Sequence, residues 1–204
     1  MKKNTNEYIN KVQNRTIPFP NKKYKIIYAD PPWEYEDKLQ HPTCWGGAEF
    51  HYQVMSDEEI KKLPVEEISE PDSILFIWGT WPKLQECLDV INAWGFEYKT
   101  IGFVWVKTFG NRWHFGMGRW TRGNTEFVLL ATKGKPKRIK KTVTQLIIQP
   151  VKGHSKKPDE VRRKILQLIG DLPRIELFAR TKVHGWDVWG NDPKLEPEPL
   201  EVFN

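Results

Sequence analysis

The segment Ile26-Ile27-Tyr28-Ala29-Asp30-Pro31-Pro32-Trp33 sets an acid, two prolines and an indole directly behind an apolar run. The run suits a buried parallel strand, and the prolines, which have no N–H to give to a ladder, end it at Asp30. One carboxylate, two rigid backbone carbonyls and one flat ring then stand at the carboxyl end of a strand, the edge where open α/β sheets bind ligands. That set suits an amino group carried on an aromatic ring. The lone pair of such a nitrogen is delocalised into the ring and attacks poorly. Asp30 and the Pro31 carbonyl, accepting from its two N–H groups, draw the lone pair out of conjugation, which is electrostatic preorganisation. Pro31 and Pro32 keep the acceptors from relaxing, and Trp33 offers a stacking face. The competing reading is a strand end with an Asp turn and a core tryptophan. The full tetrapeptide behind an apolar strand favours the chemical one.

Other residues with chemical potential lie further along. The stretch 109–123 holds four glycines, three arginines (Arg112, Arg119, Arg122) and four aromatics. Cations for phosphates beside faces for bases suit a single strand or a flipped base, whereas a Gly-rich lid that only excludes water is the plainer alternative. The run 133–141 holds six basic residues in nine. It reads either as a solvated loop or, beside the preceding loop, as a phosphate-tracking surface. Lys156 and Lys157 precede Pro158 at the start of a helix, where they oppose the macrodipole, so a ligand is a better reason for them than stability.

The elements that must position these groups alternate. Strands are expected at 24–29, 73–78, 96–106, 125–132, 143–148 and 174–178. A helix opens at the capping box Ser56-Asp57-Glu58-Glu59 and runs to about Ile68. A second starts near Pro82, with Leu84, Leu88, Ile91 and Trp94 as a core stripe ended by Gly95, and a third runs from Pro158 to Ile169. Alternating strands and helices argue for an α/β fold, a predominantly parallel sheet covered on both faces, in a single domain. Residues 1–23 read as a flexible arm, although 17–20 offers an alternative as a cover for a ligand, and 193–204 reads as an acidic, Pro-rich tail.

Asp30-Pro31-Pro32-Trp33 resembles the signature of S-adenosylmethionine-dependent N6-adenine methyltransferases. The chain resembles their MT-A type, the family of the catalytic subunit of the mRNA adenosine methyltransferase. Matching landmarks from about Tyr24 to Asp192 are His51-Tyr52-Gln53-Val54-Met55-Ser56, Trp105-Val106-Lys107, Glu126, His154-Ser155-Lys156-Lys157-Pro158, Glu176-Leu177-Phe178-Ala179-Arg180 and Gly185-Trp186-Asp187-Val188-Trp189-Gly190-Asn191. The resemblance implies a Rossmann-like methyltransferase fold with permuted motif order and S-adenosyl-L-methionine as cofactor. It places Tyr52 and Glu126 against the target adenine, Lys157 beside Asp30 or the cofactor carboxylate, Arg180 on the ribose side, and Asn191 and Asp192 at the cofactor's adenine. Asp30 counts among the cofactor contacts as well. Two departures stand out: the lysine-rich arm has no match for an acidic residue that eukaryotic members carry, and Lys182-Val183-His184 stands where they place His-Asn.

Net charge +6 and a pI near 9.2 favour a polyanionic partner. Two cysteines give neither a disulfide framework nor metal-ligand spacing, and no Gly-x-Gly-x-x-Gly loop supports a dinucleotide enzyme. No signal peptide or membrane span is legible, so a cytoplasmic protein of a bacterium or phage-infected cell is expected, monomeric or homodimeric, with no membrane partner. The expected reaction is N6-adenine methylation of DNA in preference to RNA. The alternatives are an RNA N6-adenosine methyltransferase and a catalytically silent nucleic-acid-binding member.

Overall fold

A computed structural model of the chain describes residues 18–35, 54–116, 120–152 and 156–190. Strand β1, Tyr24–Ala29, ends in four residues that are fully buried. It runs parallel to β2, Ser69–Gly79, on one side and to β7, Arg174–Leu177, on the other. Beyond β7 lies β8, Asp187–Trp189, also parallel. Past β2 come β5, Thr125–Lys133, then β3, Glu97–Phe109, which pairs with both β4, Arg112–Trp113, and β6, Leu146–Pro150. Four of the seven ladders among the described residues are parallel, and both neighbours of β5 are antiparallel to it.

That reversal moves one sequence-based expectation. Lys133, at the end of β5, pairs with Ser73 near the start of β2, so the basic run 133–141 begins at the sheet edge opposite Asp30. It does not lie beside the loop 109–123.

Helices cover both faces, as alternation requires. Ile27, Ala29, Leu75, Ile77, Phe127 and Leu129 pack against α1, Asp57–Lys61, and α2, Leu84–Ala93. Ile26, Tyr28, Phe76, Trp78, Trp105 and Val128 pack against α3, Glu160–Ile169. The period of two sends neighbouring residues of each strand to different cores.

The capping box closes as expected: Ser56 Oγ accepts from the Glu59 N–H at 3.3 Å and Glu59 Oε2 from the Ser56 N–H at 2.8 Å. The helix is shorter than expected because Pro64 has no N–H to continue it, and Val65–Ile68 resumes as a 3-10 turn. In α2 the buried stripe is Cys87, Val90, Ile91 and Trp94, with Leu84 turned outward. The described end of the N-terminal arm is pinned to β8: Phe19 packs edge-on against Trp189 at 5.0 Å, and Lys22 Nζ donates to Asp187 at 2.7 Å.

Candidate active site

The strand alternation that buries Ile26 and Tyr28 on the α3 face sends Asp30, the next residue in phase, to the same side. Glu126 falls in phase with Val128 on β5, and Lys107 with Trp105 on β3. Lys107 and Glu126 are diagonal neighbours on one face, since Trp105 stands opposite Glu126. The start of α3 supplies Lys157. An alternating row of charges results: Lys157 Nζ lies 2.9 Å from Asp30 Oδ1 and 3.4 Å from Glu126 Oε2, and Lys107 Nζ lies 2.5 Å from Glu126 Oε1. Their side chains keep 13% (Lys157), 17% (Asp30), 15% (Glu126) and 22% (Lys107) of their exposure, so each charge depends on its partners.

Burial pushes the Glu126 carboxyl up, but the ammonium groups of Lys157 and Lys107 outweigh it and hold the group below the usual carboxylate range. Burial likewise lowers Lys157, yet Asp30 and Glu126 raise it well above an ordinary lysine, with Arg180 opposing them. The same ammonium stands 5.3 Å from the centre of the Trp78 ring.

The backbone of the loop at 30–33 is fixed from several directions. Pro31 O accepts from the Trp33 N–H at 2.9 Å, and Pro32 O from the Met55 N–H at 2.9 Å. Each carbonyl oxygen has a second lone pair, so Pro31 O and Pro32 O both remain able to accept from a ligand. The Asp30 oxygen not held by Lys157 makes no hydrogen bond or ion pair among the described residues. Trp33 departs from the expected open stacking face: it is 5% exposed, packs in the core beneath the loop and donates its indole N–H to Trp78 O at 3.1 Å. It is a fixed wall of the site that locks the loop to the end of β2.

Asp30, Pro31, Pro32, Trp33, Glu126, Lys157 and Arg180 all line one cavity of about 100 Å³, so the structure gathers seven sequence-predicted residues. Ligand pockets commonly measure ~300–1,000 Å³, so what this one encloses is the reacting end of a ligand. It lies outside the carboxyl ends of β1 and β7, where the chain order of the sheet reverses. Arg112 and Arg122 are exposed near the same edge, outside the cavity lining. Arg112 closes a hairpin from β3 in which Gly110 takes the left-handed φ of 58° that a tight turn needs. Around it Phe109, Trp113, Phe115 and Trp120 are 53–98% exposed. Tyr52, Arg119, Asn191 and Asp192 lie outside the described residues. Val54 lines the cavity, and Met55 bridges to Trp33, which brings the chain to within two residues of Tyr52.

Sequence reasoning passed over Tyr35 and Thr80, whose hydroxyls meet at 2.7 Å in the cavity wall, and gave Lys107 no role. Burial raises the Tyr35 phenol, although its bond to Thr80 counteracts this. No spacing rule points to Tyr35, because it follows the prolines in a loop without periodicity. Lys107 becomes visible only once β3 and β5 are placed in register.

Three known proteins show what the chain is similar to. A Mycoplasma protein, Type II methyltransferase M.MunI, is 38% identical over 96% of this chain and 89% of its own length. The Drosophila melanogaster N(6)-adenosine-methyltransferase MT-A70-like protein is 30% identical over 89% of this chain and 29% of its own. The human N(6)-adenosine-methyltransferase catalytic subunit METTL3 is 28% identical over 78% of this chain and 26% of its own. The chain therefore spans most of the bacterial relative and less than a third of these two eukaryotic ones. The MT-A70 family model matches residues 24–192, from the first residue of β1 to just past β8, and the chain belongs to the MT-A70 family of methyltransferases.

Proposed function

We propose that this protein transfers the methyl group of S-adenosylmethionine to the exocyclic N6 of adenine in DNA. The observation that carries the reading is the Asp30 carboxylate at the tip of β1, with one oxygen fixed by Lys157 and the other unengaged among the described residues, in a cavity walled by Pro31, Pro32 and Trp33.

The donor set suits the cofactor. Lys157 and Arg180 match the carboxylate of its amino-acid end, Asp30 matches the ammonium, and the rings of Trp33 and Trp78 give a sulfonium an apolar surround. Bound there, S-adenosylmethionine supplies an electrophilic methyl group activated by the positive sulfur. Asp30 and the Pro31 carbonyl would accept from the two N–H groups of adenine and turn its lone pair toward the methyl group. The methyl–sulfur bond would break with its electron pair left on a neutral thioether, and the amine's surplus proton would pass through Asp30 to solvent. Lys157 holds one Asp30 oxygen and so aims the other, which spares reorganisation during reaction. Glu126 faces the base, and Tyr52 is assigned to the same base by the family resemblance alone. Asn191 and Asp192 hold the cofactor's adenine. The arginines and exposed aromatics of 109–123 grip the flanking strand. In a duplex the adenine first leaves the stack, at a cost of a few kcal/mol.

DNA is the first reading and RNA the second, in line with a match over 89% of the Type II methyltransferase M.MunI and over less than a third of the N(6)-adenosine-methyltransferases. Incubation with labelled methyl donor and a panel of single-stranded DNA, duplex DNA and RNA, followed by nucleoside analysis, separates them. N6-methyldeoxyadenosine is the expected product. N6-methyladenosine from RNA alone moves the assignment to RNA, and no labelled nucleoside removes it.

A further inference from the structure

No acid occurs between Glu126 and Asp159, and the site described above uses only Lys157 of the cations in that interval. The run 133–141 starts at the far sheet edge, where Lys133 pairs with Glu66 at 3.0 Å. Its middle crosses the end of α3: the Ile139 N–H donates to Leu168 O at 2.8 Å. A cation or two there complements the helix macrodipole. That leaves most of the run unexplained, since Lys137, Arg138, Lys140 and Lys141 are all exposed and form no side-chain hydrogen bond or ion pair among the described residues.

Next to this run lies a groove of about 490 Å³ between α3 and β6, larger than the active-site cavity. It is lined by Lys140, Thr142, Thr144, Gln149, Arg163 and Gln167, with Glu160 already paired to Arg163. Hydroxyls, amides and cations are the side chains that contact phosphate and sugar without reading sequence. The groove runs along β6 as far as Gln149 and along α3 as far as Glu160, three residues from Lys157 of the active-site cavity.

We propose that the run 137–141 and this groove form a second nucleic-acid contact, which holds the sugar-phosphate backbone flanking the target adenine. The inference rests on the methyltransferase reading of the first site. Two rulers set the spacing. The eight residue steps from Glu160 to Leu168 rise roughly 12 Å as helix, and the three from Lys157 to Glu160 add roughly 4 Å or more. The seven steps from Glu126 to Lys133 extend roughly 24 Å as strand. At about 3.4 Å per nucleotide, the contact falls some five to seven nucleotides from the target.

The test compares wild type with the variant Lys137→Gln/Arg138→Gln/Lys140→Gln/Lys141→Gln. Substrates are duplexes built around an adenine that wild type methylates, with arms of about 3 or about 12 base pairs on each side. The short arms end before the proposed contact. On long arms the variant should show a raised KM with unchanged kcat, and on short arms it should match wild type. Four phosphate contacts at a slope of ~0.9 each make the wild-type KM on long arms rise about 100-fold more than the variant's between 50 and 200 mM salt. Equal KM values for the two proteins on long arms, or an equal rise on both lengths, overturn the proposal. Absence of methylation by wild type on every substrate is a different result, which removes the functional reading itself.

Discussion

Lys157 is the shared cation of two buried carboxylates, and replacing it with methionine keeps the bulk of the side chain while deleting the charge. With Nζ 2.9 Å from Asp30 and 3.4 Å from Glu126, the gross attractions are roughly 6 and 5 kcal/mol at an effective dielectric of about 20. Desolvation offsets much of that, and breaking a buried pair from one side costs about 3–5 kcal/mol net. A domain holds only about 5–15 kcal/mol in total, so Lys157→Met should consume a large part of the stability. Urea unfolding followed by tryptophan emission reads this as a midpoint lowered by roughly 2 M at the usual 1–3 kcal/mol/M slope. Adding Glu126→Gln should restore part of the loss, with a coupling of about 0.5–3 kcal/mol. The acid limb gives a second readout. Glu126 titrates below its ordinary value of 4.5, so its stabilising contribution is complete above that pH and is lost as pH falls through the lower folded value. Without Lys157 the folded value rises, and acid unfolding should begin at a higher pH. A Lys157→Met protein within 1 kcal/mol of wild type, with an unchanged acid limb, would refute the assignment of Lys157 as the shared counter-ion.

Three further outcomes are expected. Changing Arg112, Arg119 and Arg122 together to alanine should weaken nucleic-acid binding and flatten its salt dependence by up to ~0.9 per lost phosphate on duplex; equal slopes place that loop elsewhere. Tyr35→Phe removes the hydroxyl that meets Thr80 at 2.7 Å and should lower stability by about 0.5–1.5 kcal/mol in urea titration, while a neutral result makes that bond incidental. Gly190→Ala drives a Cβ into the carbonyl oxygen of Ala179 and should destabilise by about 1–3 kcal/mol, since backbone must move; an unchanged melting midpoint contradicts the close packing of β8 on the end of β7.

Much of the site was legible because its chemistry is local. Asp30-Pro31-Pro32 ends a strand by covalent necessity, and Pro158 marks the start of α3, so Asp30 and Lys157 were both placed at element ends from residue type alone. What stayed hidden depends on strand direction and register, which periodicity does not encode. The apolar pattern of β5 reads the same either way, yet its antiparallel course carries the basic run to the far edge. Lys107 meets Glu126 only because Trp105 stands opposite Glu126. Trp33 was legible as an aromatic in a motif, but its burial follows from a hydrogen bond to Trp78 O, 45 residues away. The length of α1 has a local cause: the capping box sets its start, and Pro64, which has no N–H to give, sets its end.

The Asp30 oxygen that is unengaged among the described residues is the point on which the proposed chemistry turns. Asp30→Asn preserves shape and lets Lys157 keep Glu126, while replacing one acceptor oxygen with an N–H donor. With folding checked by urea titration, turnover at N6 of adenine should fall by about 10²–10³ while nucleic-acid affinity stays within about threefold. A folded Asp30→Asn enzyme turning over within tenfold of wild type would contradict the acceptor role and the mechanism built on it.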